Sequence, residues 1–381
     1  PVLRTKLTLV AIVYCLWGIV TTLWSEQQQL SLFKSLAALF VTIPVLAGGY
    51  LWAREHEFED VLSVLLPLTI CALLAGLLGR FSTAAIVNTG RTVLYQGLVN
   101  GPNMFGSMLA MCSPLLMWQV RHHFKKKQLF WVWLAAALIG TYYLFAASSR
   151  GSILVMLTTL AFFMTTVPLA RRLQLGIFAV IGIAIALMLV PDLYDRFKAQ
   201  YIYKQAVTTH KSVFYTRQDV WEESMEKAKE GGVFGGGYGV SIGNRRQFHG
   251  GFTAVGYGRE KGNSQLAIVE EVGLVGFGLY LIMMVTLFGR MLITAWQWPR
   301  CTEKQVLLTV TGILTGMTVQ SFFEAWWVAP GSPEFVYFWT MAGIGLGLSS
   351  RRPASFPIPV PALMRRRHRQ QMLAQGGGAH A

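Results

Sequence analysis

The chain has 381 residues, of which 53% are hydrophobic and only 13% charged, and its mean hydropathy is positive. This composition argues against a soluble protein, because a soluble chain of this length does not normally carry so many long apolar runs. The net charge of +15 is better explained by membrane orientation than by nucleic-acid binding, since the basic residues cluster in alternate connections between apolar runs.

The apolar runs predict membrane-spanning helices. A span needs roughly 20 apolar residues, and about ten runs approach that length. They are residues 7–24, 30–52, 61–78, 104–120, 129–147, 152–168, 173–190, 264–288, 305–323 and 334–349. We therefore predict an all-α, polytopic helical membrane protein. Membrane helices would occupy residues 1–190 and 264–350, with a large outer loop over 191–263 and a disordered basic tail over 351–381.

The basic clusters predict the orientation of these helices. Lys125-Lys126-Lys127, Arg171-Arg172 and Arg365-Arg366-Arg367 all fall in connections or tails on one side of the predicted spans. The positive-inside rule places that side in the cytoplasm. The sequence starts with Pro1 rather than Met, so we expect a fragment that further helices precede. The four cysteines are scattered and predict neither a disulfide framework nor a metal site.

Three arginines are predicted on the opposite, outer side: Arg91, Arg150 and Arg217. Charge is costly near a bilayer, so arginines that converge there suggest a bound anion, for which phosphate suits their forked geometry. We expect Asn103, Ser152 and Ser264 to cap the helices that follow, whose positive N-terminal ends would face the same side. Each feature also has a simpler explanation, as a turn, a lipid-headgroup contact or a flexible loop.

The long loop contains a predicted helix over residues 217–228, which places Arg217 and Trp221 on one face. An arginine stacked on that ring could hold an anion or a sugar oxygen, and nearby aromatics such as Tyr238 could stack on sugars. An amphipathic helix that merely packs on the membrane domain is equally compatible with this pattern. The glycines at 235–237 do not form a P-loop, because no Gly-Lys-Ser/Thr follows them.

The eighth predicted span carries Glu271 inside an apolar run. Seven residues separate it from Ser264, which is roughly 10 Å along a helix. A carboxylate at that depth must be paired or lie in a wet cavity. The sequence leaves two roles open for Glu271, namely an ion pair with an outer-side arginine and a proton acceptor.

Five motifs occur in an order that resembles the bacterial O-antigen ligase and O-antigen polymerase-like membrane glycosyltransferase family. They are Trp17…Trp24-Ser25; Arg91 followed by Asn100-Gly101-Pro102-Asn103 and Gly106; Ser148-Ser149-Arg150-Gly151-Ser152; Arg217-x-x-x-Trp221 leading to Gly235-Gly236-Gly237-Tyr238-Gly239; and Asn263-x-x-Leu266 followed by Glu271, Gly273 and Gly276. The resemblance covers most of the chain. It implies a GT-C-like fold with about twelve spans in the full-length family.

The resemblance also implies an activity. Such proteins move a glycan from an undecaprenyl-pyrophosphate carrier to an acceptor hydroxyl, on lipid A-core or on a growing glycan, at the periplasmic face of the bacterial inner membrane. No cofactor, metal, nucleotide sugar or nucleic acid is involved, and the other partners are membrane lipids. Mapped onto this chain, the resemblance implies catalytic roles for Arg150, Arg217, Glu271 and His249. It implies substrate-binding roles for Arg91, Asn103, Ser149, Trp221, Gly237, Tyr238 and Asn263.

One position departs from the family pattern. Members usually have His-Asn at the start of the eighth span, whereas here Gly262 precedes Asn263. His249, Glu260 and Glu271 stay open as replacements for that histidine. Its absence leaves room for a polymerase as well as a ligase. A lipid-linked glycan flippase and a non-catalytic scaffold are further alternatives, although a transporter should show related halves and the sequence has no internal repeat.

Overall fold

The structure is a computed structural model that describes residues 5–88, 93–124, 126–174, 176–177, 215–242 and 261–351. The chain divides into a compact unit, Pro1–Arg351, and a segment, Arg352–Ala381, that lies outside the described residues.

The described part is mostly helical, as predicted. Its principal helices are α1 (Lys6–Val20), α2 (Gln28–Glu55), α3 (Leu66–Gly79), α4 (Pro102–His122), α5 (Lys127–Ala146), α6 (Arg150–Met164), α7 (Tyr215–Gly231), α8 (Ser264–Gln297), α9 (Thr302–Gln320) and α10 (Pro333–Ser349). A short antiparallel hairpin, β1 (Ile86–Asn88) and β2 (Val93–Tyr95), joins α3 to α4 with Val87 opposite Leu94. The sequence did not predict this hairpin.

Within the described residues, five segments are long and apolar enough to cross a membrane. They are Lys6–Trp24, Gln28–Glu55, Val61–Gly79, Gln128–Ala146 and Ser264–Gln297. Helix α6 is apolar but shorter. Helices α4, α9 and α10 coincide with three other predicted spans without meeting the same standard of length and apolarity, and the predicted span 173–190 lies mostly outside the described residues. These helices support the prediction of an all-α membrane protein.

Two ends of the helix bundle can be defined from side-chain contacts. At the basic end, the Arg121 guanidinium of α4 donates to Gln305 of α9 at 2.7 Å, and Arg351 after α10 donates to the Ala53 carbonyl of α2 at 2.8 Å. Helices α4, α6 and α8 all begin at the opposite end, which we call the junction end. Every candidate site residue that the structure describes lies toward that end.

Glycines let pairs of helices approach closely. A Cβ on Gly343 of α10 would collide with the Leu46 carbonyl of α2, and one on Gly49 would collide with the Thr340 carbonyl. Gly316 of α9 allows a similar approach to Val155 of α6. Close backbone contact through small residues is the usual means of helix association in membranes, where burial of apolar surface gives little drive. The glycines thus pack α2 closely against α10 and α6 closely against α9.

Helix α8 is broken at Gly273, whose φ of 68° and ψ of −173° are not helical. The break frees backbone groups that would be costly to bury without partners. The segment 232–242, called here the glycine clasp, satisfies several of them. Leu274 N donates to Gly232 O at 3.1 Å, and Gly237 N donates to Glu271 O at 2.9 Å. The Trp17 indole of α1 donates to Val272 O at 2.8 Å.

The break predicts a sharp difference between two glycines of α8. Gly273→Ala should destabilise the protein by about 1–3 kcal/mol from backbone strain alone, because positive φ disfavours alanine. Its new Cβ would also collide with the Val233 carbonyl. Gly278→Ala is the matched control, since its Cβ would meet no atom within 4 Å. Thermal unfolding in detergent should show a lower Tm for Gly273→Ala and no loss for Gly278→Ala; equal Tm values would contradict the break.

Candidate functional site

The starts of α4 and α6 lie against each other at the junction end. A Cβ added to Gly106 would come within 2.7 Å of Ser149 Cβ, so only glycine at 106 permits this approach. Ser148, just before α6, has a φ of 53°, a strained conformation for a residue with a side chain. The two helices therefore bring the motifs of residues 100–106 and 148–152 into direct contact.

A buried polar network fills the space between these helices and the start of α10. The Ser149 and Ser152 hydroxyls lie 2.7 Å apart, and Gln320 at the end of α9 donates to the Ser107 hydroxyl at 3.0 Å. The Glu334 carboxyl in the first turn of α10 also interacts with Ser107. Because each hydroxyl has a partner, the network orients the start of α6 instead of leaving polar groups unsatisfied.

The start of α8 joins the same cluster through the link between α9 and α10. Ser264 N donates to Ser321 O at 2.7 Å, and the Ser264 hydroxyl donates to the Glu324 carbonyl at 2.7 Å. The Asn103 amide of α4 donates to a Glu324 carboxylate oxygen at 3.2 Å. We call this meeting point of α4, α6, α8 and residues 320–324 the helix junction.

The predicted caps of these helices need correction. Helix α4 begins at Pro102, with Gly101 at the cap position, so Asn103 lies inside the first turn. Proline suits that first position because its missing N–H has no helical partner there. Helix α6 begins at Arg150 rather than after Ser152. Asn263, not Ser264, caps α8, and its side-chain oxygen accepts from Leu266 N at 3.0 Å.

A buried charge cluster lies beside the helix junction, between α8 and the glycine clasp. The Lys261 ammonium lies 2.5 Å from Glu271 Oε1 and 3.5 Å from Glu270 Oε2. Gly239 N donates to Glu271 Oε2 at 2.6 Å, and the Lys34 ammonium of α2 donates to the Gly239 carbonyl at 2.6 Å. Both glutamates are at most 1% exposed and Lys261 is 9% exposed. Two lysines thus accompany two carboxylates in a region with little access to solvent.

The partner of Glu271 differs from the expectation. An ion pair with an outer-side arginine is one of the two roles that the sequence leaves open for this carboxylate, and the structure pairs it with Lys261. The reason is the path of the chain, since residue 261 returns to the junction end just before α8 and beside the clasp. Both carboxylate oxygens of Glu271 accept from buried donors, which favours a role in holding the clasp over direct contact with a substrate.

Gly237 and Tyr238, two predicted substrate-binding residues, lie inside the protein. Gly237 has a φ of 116°, and a Cβ there would collide with Ser25. Tyr238 is 1% exposed, and its ring packs on Gly18 of α1. Burial raises the pKa of its phenol well above the usual value, so the group stays neutral. The ring is not on a surface that a sugar could reach.

Helix α7 confirms the predicted helix over 217–228 and extends it at both ends. The Trp221 indole donates to the Gly262 carbonyl at 3.3 Å, and its ring lies 5.8 Å from that of Phe323. Ser224 donates to the Lys261 carbonyl at 2.7 Å. Trp221 therefore fixes α7 against the segment that leads into α8, where it borders the helix junction.

The predicted convergence of three arginines falls largely outside the described residues. Arg91 and His249 lie outside them, and of Arg217 only the backbone, within α7, is described. Arg150 is half-buried at the first position of α6. It is the predicted anion-binding arginine whose side chain can be located, and it stands at the helix junction beside Ser149.

The sequence did not identify two polar residues of this region, Lys261 and Glu324, as candidates for the site. Lys261 directly precedes Gly262. The backbone at position 262 has a φ of 58°, a conformation that favours glycine over the histidine found there in the family that the sequence resembles. Glu324 follows an apolar helix, and its sequence context is that of an ordinary acidic residue in a loop. No sequence spacing connects Glu324 with Asn103, because only the packing of α9 against α4 and α6 brings them together.

Within the described residues, no group of three or more His, Cys, Asp or Glu side chains is placed to hold a metal ion.

No protein-family model matches this chain, and a search of curated proteins finds no match either. The functional interpretation therefore depends on the geometry of the site and on the order of the motifs.

Proposed function

We propose that this protein is a membrane glycosyltransferase that moves a glycan from an undecaprenyl-pyrophosphate carrier to an acceptor hydroxyl, as an O-antigen ligase or polymerase does. In this proposal the helix junction is the active site. The junction end faces the periplasm, the basic end faces the cytoplasm of a bacterial inner membrane, and the bundle is a GT-C-like fold with about ten spans in this chain.

The observation that carries the proposal is the meeting of motifs that are distant in sequence. Segments 100–106 and 148–152 touch at the helix junction, while Trp17, the glycine clasp and Glu271 touch beside it. Residues 261–264 connect the two groups, through Lys261 on one side and Ser264 on the other. Motifs that served only local packing would not need to meet at one end of a membrane bundle, whereas an active site built from them requires it.

The helix junction has the chemical features that a pyrophosphate leaving group needs. Helices α4 and α6 begin there without side-chain caps, so their first N–H groups and positive dipole ends face the junction. Arg150 adds a forked cation suited to phosphate oxygens. Charge that develops on the departing pyrophosphate would be stabilised by these preorganised donors, which is the largest contribution to catalysis in many transfer reactions.

The broken helix α8 deserves comparison with transporters, which use broken helices to build a substrate path. Here the freed backbone groups bond to the protein's own glycine clasp and to Trp17. Because the protein's own groups bond to the backbone at the break, the broken helix is better suited to a fixed enzyme scaffold than to the moving gate of a transporter. A lipid-linked glycan flippase is accordingly the weaker alternative.

A transfer assay separates these functions. Purified protein in detergent is supplied with the lipid-linked glycan fraction from membranes of the source cells and with acceptor glycolipid from the same membranes. The proposal predicts acceptor extension together with release of undecaprenyl pyrophosphate, without nucleotide sugar. Lipid-linked glycan moved only across sealed vesicles, with no covalent transfer in detergent, would reject the enzyme assignment.

A further inference from the structure

We infer that two arginines at the basic end, Arg54 of α2 and Arg290 of α8, bind the phosphate group of an anionic phospholipid. Together with Tyr50 of α2 they form what we call the arginine site. The site lies beside Ala53, whose carbonyl accepts from Arg351 at the basic end. It is therefore at the opposite end of the bundle from the helix junction, and lipid binding there is separate from the proposed glycan transfer.

The arginine site is built where α2, α8 and α10 meet. A Cβ on Gly347 of α10 would come within 2.7 Å of the Tyr50 carbonyl oxygen, so the last turns of α10 lie directly on α2. The Arg290 guanidinium of α8 donates to the Ser349 carbonyl at 3.2 Å, which joins α8 to the same part of α10. The three helices thus contact one another at a single level of the bundle and fix the backbone on which both arginines stand.

The Tyr50 phenol links the two arginines. Arg54 follows Tyr50 by one helical turn on the same face of α2. Its Nη1 lies 3.5 Å from the phenol oxygen, and its guanidinium carbon lies 5.9 Å from the centroid of the ring. The charge of Arg290 acts on the same phenol from α8. Two cations from different helices are therefore gathered beside one buried tyrosine.

Both guanidinium groups keep donors for a ligand. A guanidinium carries several N–H donors in a planar fork. Within the described residues, Arg290 donates one to the Ser349 carbonyl, and Arg54 donates one, at 3.5 Å, to the Tyr50 hydroxyl. Both side chains are exposed. Their other N–H groups can form the paired, charge-assisted hydrogen bonds that suit phosphate oxygens.

Neither arginine is paired with a carboxylate among the described residues. Arg351 at the same end differs, because it donates to the Ala53 carbonyl at 2.8 Å and lies 4.0 Å from a Glu57 carboxylate oxygen. Residues 352–381 contain no Asp or Glu, so that segment has no side-chain carboxylate to offer. Two like charges beside one phenol repel each other. An anion from outside the chain would remove that cost.

The location of the site favours a lipid over a soluble phosphate. Arg54 lies near the end of α2 and Arg290 toward the end of α8, and both helices are long and apolar enough to cross a membrane. Leu51, one helical turn before Arg54 and on the same face, is 48% exposed. A phospholipid matches both features, since its acyl chain can contact Leu51 while its phosphate reaches the arginines. Basic sites between membrane helices bind anionic headgroups in this way.

The test measures phospholipid binding to the purified full chain in detergent, by native mass spectrometry and by thermal unfolding. The probes are phosphatidylglycerol, zwitterionic phosphatidylcholine and inorganic phosphate at equal concentrations. Phosphatidylglycerol should bind and raise the Tm, because a ligand that binds only the folded state stabilises it. Phosphatidylcholine and inorganic phosphate should leave the Tm unchanged. Protection by inorganic phosphate equal to that by phosphatidylglycerol would overturn the assignment to a lipid.

Variants show whether the lipid occupies the arginine site. Arg54→Gln and Arg290→Gln should each weaken phosphatidylglycerol binding by about fivefold, and the double variant by about 25-fold, since each basic residue near an anionic lipid contributes about that factor. The matched control is Arg300→Gln, which removes an exposed arginine from the basic end. That variant should bind phosphatidylglycerol as the wild type does.

Two outcomes would overturn the inference. An equal loss of binding in Arg300→Gln and in Arg54→Gln would show that the lipid responds to surface charge alone. Binding by Arg54→Gln within about twofold of the wild type would exclude Arg54 from the site. This second outcome is decisive even where Arg290→Gln fails to fold, because the Arg54 side chain is exposed and its bond to Tyr50 is long. Neither readout measures glycan transfer, so failure of the proposed function would leave this test unchanged.

Discussion

Replacing Arg150 with alanine is expected to reduce glycan transfer by about 10²–10³-fold, the usual effect of removing one preorganised donor to a developing oxyanion. Arg150 opens α6 at the helix junction, where it supplements the N–H groups of the uncapped first turn. Glycan transfer in detergent measures the loss. Arg150→Lys should recover only part of the rate, because an ammonium keeps the charge without the bidentate geometry.

The control for Arg150→Ala is Arg300→Ala, which removes an exposed arginine between α8 and α9 at the basic end. That variant should transfer glycan at the wild-type rate. The melting temperature of Arg150→Ala should also stay close to that of the wild type, which would assign its defect to chemistry. Normal transfer by Arg150→Ala would exclude the helix junction as the site of the leaving group.

Replacing Lys261 with methionine is expected to cause the largest loss of stability. Glu271 and Glu270 would lose a cation at 2.5 Å and 3.5 Å while remaining at most 1% exposed. Breaking a buried ion pair by removing one partner costs about 3–5 kcal/mol, because the remaining charge is uncompensated. The free energy of unfolding in detergent, or the Tm, measures this change.

Two further variants test the cause of that loss. Lys261→Met combined with Glu271→Gln should be more stable than the sum of the single variants predicts, because the partners are coupled. Lys227→Met breaks the Lys227–Glu230 pair on the surface of α7, which should cost at most about 1 kcal/mol. Additive effects at Lys261 and Glu271 would show that the two charges do not stabilise each other.

The sequence predicted those features that depend on local pattern. Apolar runs predicted the long helices, and the pattern of residues 217–228 predicted most of α7. The motif order led us to expect residues 100–106 and 148–152 to lie close together, and the structure brings them into contact. These features can be predicted from the sequence because helix period, helix length and turn chemistry depend on neighbouring residues.

The features that the sequence did not predict depend on distant packing. The partner of Glu271 is ten residues earlier in the chain, yet it pairs only because the clasp folds α8 against residue 261. The resemblance implies substrate binding by Tyr238, whereas its burial against Gly18 is decided by α1, more than two hundred residues away. Glu324 is held at the helix junction by hydrogen bonds from Asn103 and Ser264, and no sequence motif connects either residue to it.

An experimental structure of the protein with undecaprenyl pyrophosphate bound tests directly whether the helix junction binds the leaving group. The diphosphate is expected to lie at the helix junction, within hydrogen-bond reach of the Arg150 guanidinium and of the first turns of α4 and α6. A diphosphate bound at the basic end, or at the junction end but away from Arg150, would contradict it.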